Sequence, residues 1–161
     1  MKTKIGTEKA EKLIKQHADM IYRIAVHNLK NMADAEDIMQ EVCLELLTKC
    51  PDKDDEFIKC WLIRVTINKC NSFRRLVWQS RRESLDDYTH LAEPERIGVM
   101  EEIRQLPIAY RNIVYLYYYE SYTIAEIAQI LNRNPNTVSS SLQRARKKLK
   151  NILIEGGYNN E

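Results

Sequence analysis

The sequence predicts an all-α fold made of two small helical domains, one over residues 8–76 and the other over residues 99–154. Only 4 Gly and 4 Pro occur among 161 residues, so long helices meet few interruptions. Val, Ile and Thr do not alternate with polar residues over any run of strand length, which leaves little room for a sheet. Residues 77–98 are polar and lack periodicity, and we expect them to form a flexible linker.

Three helices are expected in the N-terminal domain. The first begins near Glu8, the second follows Asp34 as its N-cap and ends near Thr48, and the third runs from Glu56 to about Arg75. One side of the second helix is apolar and is expected in the core; it carries Ile38, Val42, Leu46 and Leu47. Another side carries, at i, i+3, i+4 and i+7, Asp37, Gln40, Glu41 and Leu44.

The C-terminal domain regains helical periodicity near Val99 and contains a helix-turn-helix pattern. Thr123 and Glu126 are spaced as a capping box ahead of a short helix. Asn132 tolerates the left-handed backbone of a tight turn, and Asn134 is the expected N-cap of the last helix. Two helices joined by three or four residues are typical of DNA-binding proteins, in which the second helix enters the major groove.

The formal net charge of +2 gives no hint of a nucleic-acid partner, but the charges are unevenly distributed. Residues 59–82 contain seven basic residues and residues 133–150 contain six, and neither stretch contains an acidic one. A surface helix usually mixes signs, so a basic stripe after a helix-turn-helix indicates phosphate binding. In the first stretch, aromatic residues lie between the basic ones, which suits single-stranded DNA. Trp61 is expected in the core, whereas Phe73 and Trp78 are compatible with either role.

The last helix offers polar side chains to DNA. Those placed to meet base edges or phosphates are Asn136, Thr137, Ser139, Ser140 and Gln143. Arg144 is placed for a bidentate contact with guanine, worth about 1–3 kcal/mol of discrimination. An ordinary helical hairpin is the alternative, but the basic charge of the segment weighs against it.

Several classes of protein are excluded by the sequence. No run of about 18 apolar residues is present, so we expect no membrane-spanning helix, and the charged N-terminus does not resemble a secretory signal. No glycine-rich phosphate loop, metal-spaced ligand set or Ser–His or Cys–His signature occurs, so we expect neither an enzyme nor a cofactor. No C-x-x-C pair occurs, so the cysteines are expected to be reduced and mostly buried in a cytoplasmic protein. They are Cys43, Cys50, Cys60 and Cys70.

Three motifs, in this order, resemble segments of bacterial sigma factors. The first resembles their polymerase-binding helix: Asp34-Ala35-Glu36-Asp37-Ile38-Met39-Gln40-Glu41-Val42. The second is similar to their promoter-melting and minus-ten segment: Phe57…Trp61-Leu62-Ile63-Arg64-Val65…Asn68…Arg74-Arg75. The third is similar to their minus-thirty-five-binding domain: Leu106-Pro107…Tyr110-Arg111, Ile124-Ala125-Glu126-Ile127-Ala128 and Thr137-Val138…Ser140…Arg144-Ala145-Arg146…Leu149. With only these two domains, the chain is identified as a member of the extracytoplasmic-function (ECF) subfamily.

The resemblance implies roles for individual residues. Contacts with the coiled coil of the polymerase's largest subunit would come from Asp37, Gln40, Glu41 and Leu44. The opened minus-ten strand would be held by Phe57, Lys59, Arg64, Asn68, Lys69, Arg74 and Arg75. A flipped minus-ten base would be captured by the loop at about residues 51–57. The minus-thirty-five element would be bound by Arg133, Asn136, Thr137, Ser139, Ser140, Gln143, Arg144, Lys147 and Lys148.

The implied function is that of an alternative sigma factor, which binds core RNA polymerase, recognises the minus-thirty-five and minus-ten elements and melts the promoter. The implied partners are core polymerase, promoter DNA and an anti-sigma factor, without a cofactor or a stable membrane insertion. The alternative is a helix-turn-helix regulator that binds duplex DNA without polymerase. Such a regulator needs no polymerase-binding surface, which is the role implied for Asp37, Gln40 and Glu41 on the second helix. It also needs no basic helix for promoter melting.

Two features depart from the family pattern. Family members often carry Lys or Arg at the positions of Ser139 and Ser141, so we expect weaker or altered binding to the minus-thirty-five element. Residues 52–55 are acidic with one lysine, which is unusual beside DNA. This acidity leaves open which loop residues line the base pocket.

Overall fold

Seven helices make up the part of the chain that the structure, a computed structural model, describes: residues 4–29, 31–80 and 101–155, without the side chains of residues 78–80. They are α1 (Thr7–Asn28), α2 (Met32–Lys49), α3 (Asp55–Ser80), α4 (Glu101–Arg104), α5 (Ile108–Tyr118), α6 (Ile124–Leu131) and α7 (Pro135–Glu155). Extended pairing in these residues is an isolated bridge between Lys4 and Pro51. The predicted all-α class is confirmed, and the chain divides into two compact units, Met1–Glu93 and Pro94–Glu161.

The N-terminal unit is a bundle in which α1, α2 and α3 pack against one another. Each helix buries one apolar stripe, because its apolar residues recur every three or four positions. Burying one Leu or Ile side chain stabilises the fold by about 1.5–3 kcal/mol. The fully buried side chains at the centre of this bundle include Leu13, Ile21, Ile24, Leu46, Ile58, Leu62 and Ile63.

The first turn of α2 is capped by Asn31 and not, as predicted, by Asp34. Asn31 Oδ1 accepts the backbone N–H of Asp34 at 2.7 Å, and Asn31 Nδ2 donates to Asp34 Oδ2 at 2.7 Å. Asp34 therefore lies inside the first turn, where its carboxylate faces the positive end of the helix dipole. The prediction was wrong because Asn and Asp are equally good N-caps, and residue type does not rank two candidates three positions apart.

Helix α3 continues past its predicted end near Arg75 and reaches Ser80. Residues 77–80 are therefore helical, which corrects the predicted start of the linker at residue 77. The physical reason is that no Gly or Pro occurs between Asp55 and Ser80, so no residue interrupts the helix. The rest of the predicted linker, residues 81–98, lies outside the described residues.

In the C-terminal unit, α5 and α7 each pack against the other three helices of α4–α7. Tyr115 is fully buried in α5, and its hydroxyl donates to Glu120 Oε1 at 2.8 Å, so this large ring enters the core without an unpaired hydroxyl. The surrounding apolar core includes Ile103, Leu106, Ile113, Leu116, Ile127, Val138, Leu142 and Ala145.

Helices α6 and α7 form the predicted helix-turn-helix. Thr123 Oγ1 accepts the N–H of Glu126 at 3.2 Å, and Glu126 Oε1 accepts the N–H of Thr123 at 3.3 Å, which confirms the capping box. Asn132 adopts the expected left-handed conformation, with φ of 53°. Asn134 caps α7, since its Oδ1 accepts the N–H of Asn136 at 2.8 Å. Side-chain hydrogen bonds thus fix both helix starts, and with them the direction in which α7 projects.

Candidate nucleic-acid interface

One side of α2 is exposed and carries the residues for which the resemblance implies polymerase contacts. These four exposed residues are Asp37, Gln40, Glu41 and Leu44. Leu44 is 61% exposed and adds an apolar side chain to this otherwise polar side of the helix. The opposite side of the helix is buried and consists of Ala35, Ile38, Val42 and Leu46.

Leu47 also lies on the exposed part of α2, so its predicted place in the core is wrong. Its side chain is 39% exposed, and it follows Leu44 by three residues, which brings the two leucines together on the helix surface. The sequence pattern misled because Leu47 directly follows the buried Leu46 and lies beyond the edge of the buried stripe. We call Asp37, Gln40, Glu41, Leu44 and Leu47 the α2 patch.

The exposed side of α3 carries four of the seven residues predicted to hold the minus-ten strand. We call these four the α3 face: Phe57, Arg64, Asn68 and Arg75. They share one side because whole helical turns separate them. Trp61, expected in the core, is only half-buried and follows Phe57 by one turn, while Phe57 is 44% exposed. This side therefore offers two aromatic rings, two guanidinium groups and an amide.

The other three predicted residues of α3, which are Lys59, Lys69 and Arg74, are half-buried and lie off the α3 face. Lys69 Nζ lies 3.1 Å from Glu45 Oε1 and 3.5 Å from Glu41 Oε2. Burial acts to lower the pKa of Lys69, but the hydrogen bonds and charges of both glutamates outweigh it and raise this pKa. Lys69 is thus directed towards α2, in a contact worth about 0–1 kcal/mol.

Arg74 stabilises the end of α1. Its Nη1 donates to the backbone oxygen of Asn28 at 2.9 Å and to Asn28 Oδ1 at 3.2 Å, and its Nη2 donates to Asn71 Oδ1. Asn28 is the last residue of α1, where backbone carbonyls lack partners within the helix and a cation is favourable. Burial lowers the pKa of this guanidinium. Arg74 therefore joins α1 to α3, and its donors are directed into the protein.

The acidic loop before α3 uses its carboxylates within the protein. Asp54 Oδ1 accepts the N–H of Phe57 at 2.8 Å and so caps α3. Asp55 and Glu56 lie in the first turn of this helix, where the helix dipole stabilises negative charge. Asp52 forms an ion pair with a lysine of α1. Each of these carboxylates thus has a structural role, which accounts for the acidity that is unusual beside DNA.

The exposed side of α7 carries five of the residues predicted to bind the minus-thirty-five element. We call these five the α7 face: Asn136, Ser140, Gln143, Arg144 and Lys147. They recur at i, i+4, i+7, i+8 and i+11 and so share one side. The opposite side is buried and includes Val138, Leu142 and Ala145. Of the other predicted residues, Ser139 is half-buried, and three are exposed: Arg133, Thr137 and Lys148.

Ser141 is only 7% exposed and belongs to the buried side of α7. The expectation that this serine weakens contacts with DNA is therefore wrong, because its side chain points into the unit. Ser139 lies at the edge of the exposed side, so the expectation stands for that position alone. The run of three serines did not distinguish them, because consecutive residues on a helix lie 100° apart.

Arg146 belongs to the basic segment of α7 but is held by α5. Its Nε donates to the hydroxyl of Tyr118 at 2.6 Å, and its guanidinium carbon lies 5.3 Å from the ring centroid of Tyr117 and 5.7 Å from that of Tyr118. The hydrogen bond with Tyr118 raises the pKa of Arg146. A cation over an exposed ring contributes about 0.5–1 kcal/mol. Arg146 thus links α7 to α5, and the α7 face does not include it.

Two family descriptions match successive parts of the chain: residues 13–79 match Sigma-70 region 2, and residues 96–149 match Sigma-70, region 4. The RNA polymerase sigma factor SigV of Bacillus subtilis is 30% identical over 145 residues, which cover 83% of this chain and 84% of SigV. This chain belongs to the ECF sigma factors. Another relative, the ECF RNA polymerase sigma factor SigE of Mycolicibacterium smegmatis, is 29% identical over 158 residues, covering 90% of this chain and 62% of SigE.

A solved structure shares the fold of this sigma factor. The sigma factor RpoE from Bartonella quintana, in complex with the anti-sigma factor NepR, superposes with a TM-score of 0.72 at 16% identity, covering 91% of this chain and 98% of RpoE. The family matches identify the chain as an alternative sigma factor, which is a transcription initiation factor and not an enzyme. The match to region 2 disfavours the alternative of a regulator that works without polymerase.

The four cysteines of the sigma factor are free thiols, of which Cys50 and Cys70 are buried and the other two half-buried. Burial raises the pKa of Cys70 to about 12, so this thiol is a poor nucleophile at neutral pH. Groups of His, Cys, Asp and Glu that could hold a metal ion do not occur among the described residues. In residues 4–29, 31–80 and 101–155, every helix is too short or too polar to cross a bilayer.

Arg74→Ala should destabilise the N-terminal unit by about 1.5–3 kcal/mol, since it removes from Asn28, the last residue of α1, the hydrogen bonds of a charged donor. The matched control is Arg75→Ala, because Arg75 is exposed and donates to Ser72 Oγ of its own helix at 3.3 Å. Its effect should stay within about 0.5 kcal/mol. Urea unfolding followed by tryptophan fluorescence suits this test, since both tryptophans precede residue 93. Equal stability of the two variants would contradict the capping role of Arg74.

Proposed function

We propose that this sigma factor binds core RNA polymerase through the α2 patch, holds the opened minus-ten strand on the α3 face and reads the minus-thirty-five duplex with the α7 face. The observation that carries the proposal is the segregation of charge among these three exposed surfaces. The α2 patch contains two carboxylates and two leucines, whereas the α3 and α7 faces contain no carboxylate. A phosphate backbone is repelled by the first kind of surface and attracted by the second.

The α2 patch has the composition of a protein-binding surface. Leu44 and Leu47 supply apolar area that a partner removes from water, and the neighbouring Asp37, Gln40 and Glu41 give the contact its orientation. The resemblance to other sigma factors points to the coiled coil of the largest polymerase subunit as the partner. Leu47, which the sequence pattern assigned to the core, is thereby added to the proposed contact.

The α3 face suits single-stranded DNA. Phe57 and the adjacent Trp61 provide rings on which bases stack, at about 1–3 kcal/mol per base. Arg64 and Arg75 attract the backbone, and the amide of Asn68 offers hydrogen bonds to an unpaired base. These side chains act on a strand without needing a duplex, which is what promoter melting requires.

The remaining residues assigned to the minus-ten strand act, in this proposal, by shaping α3. Lys69 and Arg74 are engaged by Glu45 and Asn28, so they hold the helix in position and contribute positive potential at longer range. Lys59 is half-buried on the side away from Phe57 and is given the same role. Residues 51–57, which comprise the loop before α3 and the first residues of the helix, are proposed to take the flipped base.

The α7 face suits the major groove of a duplex. Arg144 is proposed to bind guanine through two parallel hydrogen bonds, and Gln143 to bind adenine in the corresponding way. Asn136, Ser140 and Lys147 are proposed to meet base edges and phosphates beside them. Phosphate contacts that set the register would come from residues at the borders of this face, namely Arg133, Thr137, Ser139 and Lys148.

We propose that the two domains bind different partners. Residues 8–80 bind polymerase and the minus-ten element, and residues 99–154 bind the minus-thirty-five element. RpoE, which shares the fold, was solved with an anti-sigma factor, and we propose that this chain also has an anti-sigma partner. Core polymerase and promoters lie in the cytoplasm, which is therefore the proposed place of action.

The test of this function is transcription in vitro with core polymerase and a library of randomised promoters. We expect transcripts only when the sigma factor is present, and the transcribed templates should share two separated sequence elements. Core polymerase without the sigma factor is the control. Templates bound by the protein but never transcribed would instead support a plain DNA-binding regulator.

Replacing Asp37 and Gln40 together by Ala should weaken binding to core polymerase by about tenfold or more, because interface hot spots each contribute more than about 1 kcal/mol. Titration of labelled sigma factor with core polymerase measures this affinity. Glu36→Ala is the matched control, since Glu36 is exposed on α2 but does not belong to the α2 patch. Unchanged affinity of the double variant would argue against the α2 patch as the polymerase contact.

Arg144→Ala should weaken binding of the reconstituted holoenzyme to its minus-thirty-five duplex by about ten- to hundredfold, the value of one bidentate base contact, with little loss on random duplex. Arg146→Ala, two residues away, should change this ratio little, since Arg146 is held by Tyr117 and Tyr118. Competition binding with the two duplexes gives both affinities. A loss by Arg144→Ala that is equal on both duplexes would show that Arg144 does not read sequence.

A further inference from the structure

Residues 4 and 5, which precede α1, bind to the loop that precedes α3. Lys4 forms an isolated antiparallel bridge with Pro51, and the N–H of Ile5 donates to the backbone oxygen of Cys50 at 3.4 Å. The side chain of Ile5 is only 6% exposed, and Cys50 is fully buried. The entry of the loop, which spans residues 50–54, is therefore fixed by the segment that leads into α1.

Lys9 of α1 fixes the middle of the same loop. Its Nζ donates to Asp52 Oδ1 at 2.6 Å and to the backbone oxygen of Lys53 at 2.7 Å. The hydrogen bond with Asp52 raises the pKa of Lys9, so the ammonium group stays charged throughout the neutral range. One cation thus holds a side chain and a neighbouring backbone carbonyl, which restricts both the position and the orientation of this peptide.

The exit of the loop is fixed as well, because Asp54 caps α3 through the N–H of Phe57. The first two attachments hold the backbone oxygens of Cys50 and Lys53, and the third holds the side chain of Asp54. The side chain of Lys53 remains exposed between them. The loop is therefore a short segment held at its entry, middle and exit, with its polar surface accessible. Such restraint is what a site needs if it is to receive a base displaced from the stack.

We propose that Lys9 is a positioning residue for minus-ten recognition, which acts by holding residues 52 and 53 in the geometry that receives the flipped base. This inference rests on the proposed function, in which residues 51–57 form the capture loop. Both partners of the Lys9–Asp52 pair are partly exposed, at 37% and 43%, so the pair contributes little to global stability. Its effect is local, because the two groups that Lys9 binds, the Asp52 carboxylate and the Lys53 backbone oxygen, belong to successive residues of the loop.

The experiment compares base preference at the minus-ten element for the natural protein and three variants, using the randomised library and saturating amounts of each sigma factor. Lys9→Met removes the charge but keeps the aliphatic chain. Lys9→Arg keeps a donor that can reach both acceptors. Lys12→Met is the matched control, because Lys12 is an exposed lysine on the same helix.

We expect Lys9→Met to lower the preference for the favoured minus-ten base by about three- to tenfold, the scale on which a prepared site loses selectivity when it loosens by a fraction of an ångström. Preference at the minus-thirty-five positions should not change. Lys12→Met should behave as the natural protein, and Lys9→Arg should recover most of the preference. Hydrogen exchange should show faster opening of amides at residues 51–54 in Lys9→Met alone.

Two outcomes overturn the inference while the natural protein remains active. One is an unchanged minus-ten preference in Lys9→Met. The other is a uniform loss of transcription with preference intact, which would mean that Lys9 only stabilises the fold. If the natural protein directs no transcription at all, the proposed function is contradicted instead. The reaction with the natural protein therefore distinguishes failure of the proposed function from failure of the inference about Lys9.

Discussion

The packing of α3 against α1 and α2 is the constraint on which the N-terminal unit depends. A single helix buries Ile58, Leu62 and Ile63 and presents along its other side the α3 face, which we propose binds nucleic acid. This is possible because a helix separates its two sides by half a turn and keeps that separation along its length. Basic residues at the boundary between the sides are then within reach of neighbouring helices. Lys69 and Arg74 occupy that boundary and bind α2 and α1.

Positive charge therefore serves two purposes in this sigma factor. Arg64 and Arg75 are on the exposed side, where we propose that they attract phosphate at long range. Arg74, directly beside Arg75, instead donates to the last residue of α1 and joins α3 to α1. In the C-terminal unit, Arg146 likewise joins α7 to α5 through Tyr118. The number of basic residues in a stretch of sequence is thus an upper limit on the number available to bind DNA. The packing of the helices determines how many of them are exposed.

The parts of this structure that sequence predicts well are those determined by near neighbours in the chain. The Thr123–Glu126 capping box and the left-handed Asn132 depend on residues within one turn, and helix periodicity alone groups the exposed residues of α7. One error is also local, since Asn31 and not Asp34 caps α2. The other errors arise elsewhere. Arg74 and its acceptor Asn28 are 46 positions apart, and no local pattern links them. Leu47 and Ser141 lie next to buried or exposed residues at the edge of a stripe, where a small difference in direction decides burial.

The separation of the α7 face from the core of its unit has a consequence for divergence. Asn136, Gln143 and Arg144 are exposed, so replacing them removes little buried area and retains the side chains that cap the helix-turn-helix. With the role proposed for the α7 face, promoter preference can therefore change by single substitutions that are nearly neutral for folding. A duplicated copy of the gene could acquire a new set of target genes through a series of variants that all fold.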